Sequence, residues 1–476
     1  MNNPPVILWF RNDLRVTDNP ALNNALKISK NENRKIICIY ILENYKNLSS
    51  NHGSAAKWWL HGSLKKLDQQ LTKLNEEQVS SSLNFFVGDP QKIILNLCKK
   101  YQSHDVLWNR RYETEHVIKD KQVKLKLKNN KVSVKTYIGS VLIEPWNVLG
   151  KKDQRLKVFT PYKNSLINNH TIQIPFSKPS KLSLIKIKES ISLNNLKLIS
   201  GSWTKKFENK WEIGEEIALK KIDDFINKKI DHYHLDRNMM AKDGTSKLSP
   251  HLNFGEISPR YIWQKIIKED VNKLSEGKKI FLSEIIWREF AINLMLLFPN
   301  LSSQNMNPSF KNFNWIEDEI NFQKWKTSKT GFPVVDAAMS QLWNDGWMHN
   351  RARMIVASFL TKHLLIPWQW GANWFHDTLL DANLASNYAS WQWVAGCGAD
   401  AAPYFRIFNP ETQAIKFDPE GSYIKKHLPI FKKFDKKNCH NPDQSVLKLN
   451  YPNKIIDHKF ARSRALKNFS EARKKQ

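Results

Sequence analysis

Only four cysteines occur in the 476 residues, Cys38, Cys98, Cys397 and Cys439, with no CxxC pair and no His/Cys cluster at metal-ligand spacing. A disulfide framework and a bound metal are therefore not expected. Long hydrophobic runs are missing too, since no stretch reaches the roughly 18 apolar residues that a membrane span requires. The segment MNNPPVILWFRNDLR lacks the charged region and apolar core of a secretory signal, so a cytoplasmic chain with no membrane partner is expected. Glycines number 16, and none stands in a GxGxxG or P-loop pattern, which removes the usual motifs of a nucleotide site. Acidic residues are in deficit, 45 against 74 basic ones, leaving a net charge of +29 and a pI near 9.7. That excess favours an anionic partner such as a nucleic acid. Lysine is also abundant in plain segments such as residues 119–135, so part of the charge is compositional.

Apolar material is ample, with 41% hydrophobic and 11% aromatic residues in a chain whose length suits two or three domains. Val6–Phe10, Ile36–Ile41, Leu83–Val87 and Asp105–Trp108 are apolar runs of strand length separated by amphipathic stretches of helical length. This alternation predicts a parallel, Rossmann-like α/β sheet over residues 1–135. Within it, Thr17 or Asp18 is expected to cap a helix through Lys27, Ser54 one through Leu74, and Asp89 with Pro90 one through Lys100. Residues 136–202 lose periodicity and gather turn formers such as Pro161, Pro175 and Pro179, the mark of a connector over the surface. From Trp203 onward helical periodicity dominates, and Gly214–Lys228, Pro259–Lys268, Ser283–Phe298 and Val334–Leu342 are predicted helices. A larger, all-α domain over residues 203–476 follows.

The stretch Trp347–Pro410 combines what ordinary core segments keep apart. Trp347, Asn350, Arg351 and Met354 stand at i, i+3, i+4 and i+7, so one helix would carry all four on a stripe. Further on, Trp368, Trp370, Trp374, Trp391 and Trp393 alternate with Asp381, Asn387, Asp400 and Arg406. A core built only for stability avoids buried amides and charges, because each needs a partner. Flat rings with placed hydrogen-bonding groups suit a planar, polar-edged ligand such as a flavin or nucleobase. Elsewhere, Gly244-Thr245-Ser246-Lys247-Leu248-Ser249-Pro250 gathers hydroxyls and a lysine into one turn, either a helix cap or a cradle for phosphate. Glu284, Trp287 and Arg288 share a helical face, either as a surface ion pair beside a tryptophan or as part of a pocket. Trp315, Trp368 and Trp391, taken alone, are core tryptophans.

Asn350-Arg351-Ala352-Arg353-Met354, the Trp391-Gln392-Trp393 pair and the run Asp400-Ala401-Ala402-Pro403-Tyr404-Phe405-Arg406-Ile407-Phe408-Asn409-Pro410 resemble the signature of the photolyase and cryptochrome family. The likeness runs from Leu8-Trp9-Phe10-Arg11 to about Pro429, and is greatest to the bacterial class I photolyases that split cyclobutane pyrimidine dimers. It implies an FAD held by Tyr233, by Thr245, Ser246, Lys247, Leu248 and Ser249, and by Arg288, Trp347, Asn350, Arg353, Asp381, Asn383 and Asn387. Asn387 matches the residue facing flavin N5 and is of the photolyase type. Asn383 stands where the family usually has an aspartate.

For UV-damaged DNA the resemblance implies Arg237, Arg351 and Arg406 around the pocket mouth, with Glu284, Trp287, Asn350, Met354 and Trp393 lining the site of a flipped-out dimer. Glu284 and Asn350 would serve catalysis, and Trp391, Trp368 and Trp315 an electron relay between flavin and solvent. In a partly dry pocket the Glu284 pKa would rise and its carboxyl would donate a hydrogen bond. A 5,10-methenyltetrahydrofolate antenna is expected near Asn109 and Glu113, with Asn51-His52 and residues 302–307 as further contributors, although 302–307 has no lysine where the family uses one. Repair of cyclobutane dimers by a monomer is the expected function. The alternative within the family is a blue-light signalling cryptochrome that binds FAD without repair.

Overall fold

Strands β1 (Asn3–Phe10), β2 (Arg34–Leu42), β3 (Leu83–Val87), β4 (Asp105–Asn109) and β5 (Ser133–Tyr137) form one parallel sheet in the order β3-β2-β1-β4-β5. The computed structural model describes residues 3–45, 51–199, 201–267, 273–400 and 405–474. In the central strand, Val6, Leu8 and Phe10 pack into one core layer with α1 (Pro20–Glu32) and α2 (Ser54–Leu74). Ile7 and Trp9 pack into the other with α3 (Pro90–Tyr101) and α4 (Thr114–Asn129). Period-two alternation thus buries both faces, as a doubly covered parallel sheet requires. The four predicted strands are present. β5 escapes a sequence reading because SVKTY is polar and only half-buried, an edge strand without an apolar run.

The predicted cap of α1 moves by a residue or two. Asn19 accepts the Leu22 N–H at 3.1 Å, with Pro20 in the first helical turn. Asp18 is claimed by the helical domain instead: its carboxylate takes the Arg260 guanidinium at 2.7 Å and the Ser258 hydroxyl. Gly255 completes this tie. It sits at φ 67°, and a Cβ there would lie 2.1 Å from the Asn12 carbonyl oxygen, so only glycine lets the two backbones meet. The connector is less free than its composition suggests. Ile36 N–H donates to Ser183 O at 2.8 Å, Ile185 N–H to Ile36 O at 3.0 Å, and Leu182 and Leu184 are buried. Its hydrogen bonds go to another segment, which leaves no internal period to read.

The remainder is helical: α5 (Phe159–Asn169), α6 (Glu215–Lys228), α7 (Tyr233–Asp236), α8 (Ser249–Asn253), α9 (Pro259–Ile266), α10 (Glu276–Leu297), α11 (Glu319–Lys326), α12 (Pro333–Asp345), α13 (Asn350–Ser358), α14 (Trp368–Thr378) and α15 (Leu384–Ala395) are followed by shorter pieces and a terminal helix, His458–Lys474. Lys268, the predicted end of α9, lies outside the described residues. α10 packs on α15 and α7, and α14 on α15. Among the described residues no helix is long and apolar enough to cross a membrane, and no group of His, Cys, Asp or Glu is arranged to hold a metal.

Candidate active site

Gly346, at φ 62°, ends α12, and His349 starts α13 by accepting the Arg351 N–H on Nδ1 at 3.2 Å. The helix therefore begins at Asn350, and the single stripe expected from Trp347 to Met354 is broken. Asn350 and Met354 remain one turn apart, with the amide nitrogen 4.0 Å from the thioether. Trp347 is buried elsewhere, its indole N–H 3.3 Å from Ser249 Oγ. With Thr245, Ser246, Lys247, Lys221 and Phe225 it lines a cavity of about 820 Å³. Its hydroxyls, ammonium groups and aromatic faces, in a lining that also carries Asp224, Asp243 and Asp345, suit the diphosphate and adenine half of a dinucleotide. On α8, the next helix, the buried Asn253 amide nitrogen has no partner among the described residues, a donor suited to an added acceptor.

Arg353 donates from Nη2 to both Asp381 oxygens, at 3.1 and 2.8 Å, and from Nε to the Met348 carbonyl at 2.8 Å. Asn387 is buried on α15 and donates to Ala372 O at 2.9 Å. Asn383 caps that helix by accepting the Ser386 N–H at 3.1 Å. An aspartate would cap equally well, so the asparagine removes a negative charge without loosening α15. Arg288, expected to hold the cofactor, is also engaged within the protein. Its guanidinium donates to the Ser140 carbonyl at 2.7 Å and to the Glu289 carboxylate at 3.1 Å. Glu289 is fully buried, pushed up to about 7 by that burial, and the nearest cation is needed to compensate it.

On the outer side, half-buried Glu284 pairs with Arg237 at 2.6 Å. Burial raises the Glu284 carboxyl and Arg237 opposes the rise. Arg237 also lies 5.4 Å over the ring of buried Tyr233. Arg351 donates to Asn238 Oδ1 at 2.6 Å and sits 4.2 Å over Phe417. Trp287 is 36% exposed, Trp393 half-buried and Arg406 exposed. Ala401–Tyr404 of the signature lie outside the described residues. Lys362, absent from the sequence expectations, is buried in a π-helical turn and donates to the Arg406 carbonyl. Burial pushes its ammonium down to about 7. In the sequence it stands in the mostly apolar stretch Val356–Ile366, beside Thr361 and His363.

Trp391 and Trp368 are buried, and Trp315 is half-buried with its ring 4.5 Å from Phe313. Trp368 opens α14 and donates its indole N–H to Asn305 Oδ1 at 2.8 Å. One turn later, a Cβ on Gly371 would fall 2.1 Å from Trp391 Cη2, so the Trp391 ring lies directly against the helix that Trp368 begins.

Residues 6–180 match the family model described as DNA photolyase, and residues 281–471 the one described as the FAD binding domain of DNA photolyase. Over 483 residues, 99% of this chain and 98% of the relative, the sequence is 41% identical to a deoxyribodipyrimidine photo-lyase of Agrobacterium fabrum. The chain belongs to the DNA photolyase family. A crystal structure described as a bacterial class III photolyase from Agrobacterium tumefaciens superposes with a TM-score of 0.92 at 40% identity, covering 100% of this chain and 98% of that one. A cryptochrome from Synechocystis superposes at 0.86 with 27% identity, covering 98% and 99%. Residues 281–471 are thus an FAD-binding domain of the photolyase type.

The α/β domain of this family member carries a second cavity of about 1320 Å³ at the C-terminal ends of β1, β2 and β3, where doubly wound sheets bind ligands. Asn51, His52, His116, Ser302 and Ser303 line it, so the two segments paired in the sequence reading do meet. Asn109 does not serve it. Its amide nitrogen donates to Asp13 Oδ2 at 2.6 Å and Asn19 Oδ1 at 2.8 Å, and its oxygen accepts from Ala21 at 3.2 Å. With every polar atom engaged and the residue buried, it holds the turn after β1. Glu113 is 3.2 Å from Nδ1 of the cavity-lining His116.

Proposed function

We propose that this chain is a light-driven deoxyribodipyrimidine photo-lyase that opens cyclobutane pyrimidine dimers in UV-damaged DNA. The carrying observation is Glu284, a half-buried carboxyl with a raised pKa, one turn from the exposed indole of Trp287. When bound, reduced FAD supplies, on absorbing near-ultraviolet or blue light, the electron that opens the cyclobutane ring and accepts it back. Glu284 in its acid form and the Asn350 amide donate to the pyrimidine carbonyl on which negative charge develops. Trp287, Met354 and Trp393 pack against the extruded bases, while Arg237, Arg351 and Arg406 hold phosphates. Arg353 and Asp381 form a neutral pair beside the flavin ring. Trp391, Trp368 and Trp315 relay an electron inward from solvent. In this reading residues 1–135 carry the antenna, 136–202 connect, and 203–476 bind FAD and DNA, in a cytoplasmic monomer. Light-dependent loss of dimers from irradiated DNA tests it, and a protein that holds FAD but removes none is a signalling cryptochrome.

Reversal of a (6-4) photoproduct needs an acid to move a proton with the migrating group. His349 is buried, its Nδ1 accepts the helix-capping bond, and burial pushes it down to about 4. It is therefore neutral at pH 7, with Nδ1 taken by the helix cap. Oligonucleotides bearing each lesion should show cyclobutane repair and no (6-4) repair, and efficient (6-4) reversal would mean that other residues face the DNA.

Arg406→Ala should weaken binding to undamaged DNA about fivefold at moderate salt and reduce the salt slope by about 0.9, leaving the flavin spectrum unchanged. Equal binding across a salt series removes Arg406 from the interface. For the antenna, 5,10-methenyltetrahydrofolate in the cavity at Asn51, His52 and Ser302 should add a near-ultraviolet band on reconstitution and transfer energy to FAD. No extra band and no transfer would reject it.

A further inference from the structure

Phe159 opens α5 with its ring centroid 3.6 Å from that of Trp287 and the two planes within 5°. Phe290 stands edge-on to both, at 5.8 and 5.7 Å. One face of the exposed Trp287 indole is thereby covered and its rotation about χ1 and χ2 is blocked. What holds Phe159 in turn comes from far along the chain. As the first residue of α5 it has an N–H with no intrahelical acceptor, and the helix has neither a side-chain cap nor an acidic residue in its first turn. The Asp400 carboxylate supplies that acceptor at 3.3 Å. The backbone carbonyl of the same Asp400 accepts the Trp393 indole N–H at 3.1 Å. Asp400 adopts φ 55°, a left-handed conformation that Asp and Asn tolerate better than other side chains.

We propose that Phe159 and Asp400 form a brace between the two aromatic walls of the lesion pocket, Trp287 and Trp393, and that this brace sets the preference for joined over separate pyrimidines. The inference rests on the reading of those tryptophans as lesion walls. Walls held at one separation favour two bases locked into a rigid dimer, whereas mobile walls give up that distinction and leave phosphate contacts untouched.

The test is the ratio of dissociation constants for undamaged and dimer-containing oligonucleotides, measured in the dark on FAD-loaded protein. Phe159→Ala and Asp400→Ala are each expected to lower the ratio about tenfold, and the double variant no further than the worse single. Phe159→Tyr and Asp400→Asn, which keep the ring and the acceptor oxygen, should restore it. The flavin spectrum and the affinity for undamaged DNA should stay unchanged throughout. Trp287→Ala separates the two levels: if it keeps the ratio, the lesion-wall reading falls. If Trp287→Ala loses the ratio while Phe159→Ala and Asp400→Ala keep it, the brace alone is overturned. Should Phe159→Ala fail to retain FAD, the exposed Asp400 variants decide.

Discussion

Replacing Glu284 by Ala is expected to lower repair per absorbed photon about 10- to 100-fold, the usual cost of removing one preorganised donor to a developing charge. Glu284→Gln keeps a donor that does not titrate, so it should retain most of the repair and lose its pH dependence. In the native protein burial raises the carboxyl while Arg237, 2.6 Å away, lowers it. The acid form is present below the raised pKa and is lost as pH rises through it, so repair should decline on the alkaline side. Arg237→Ala removes the lowering influence on Glu284 along with a phosphate contact, so at saturating dimer it should move that decline to higher pH. Repair yield against pH at saturating dimer measures this. A flat native profile, or a shift to lower pH in Arg237→Ala, would remove Glu284 as the proton-bearing donor.

The second large effect concerns photoreduction. Trp391→Phe should nearly abolish light-driven flavin reduction with an external reductant, because phenylalanine is far harder to oxidise than tryptophan. Repair by chemically reduced protein should persist. The substitution also leaves a gap against Gly371, where the indole lies tightly enough to exclude a Cβ, so some loss of stability, about 1 kcal/mol or more, accompanies it. Trp315→Phe, at a half-buried site, should slow photoreduction with little structural cost. Undiminished photoreduction in both variants would mean that the electron takes another route.

Glu284, Trp287, Asn350 and Met354 stand on single helices, α10 and α13, where a spacing of three or four residues puts neighbours on one face. Such pairs are legible in a sequence. Trp347 looked like a member of the same stripe, but Gly346 and the His349 cap break the helix first. The cap was hard to foresee because histidine is not among the usual capping residues.

By itself the sequence determined the alternation of apolar strands and amphipathic helices, hence the parallel sheet, and the 3.6-residue period of the helical part. It also carried the motif residues by which the family is recognised. Each of these depends on neighbours a few residues apart, which is the range over which backbone geometry repeats. Only the tertiary structure decided that Arg288 turns to Ser140 and Glu289, that Asn109 closes on Asp13 and Asn19, and that Asp18 is taken by Arg260, 242 residues away. The same holds for Asp400 and the Phe159 N–H, 241 residues apart. A carboxylate or guanidinium that leaves water accepts any well-placed backbone group as partner, whatever its residue type. Which group stands there is set by how the connector and helices pack, and no local pattern encodes that.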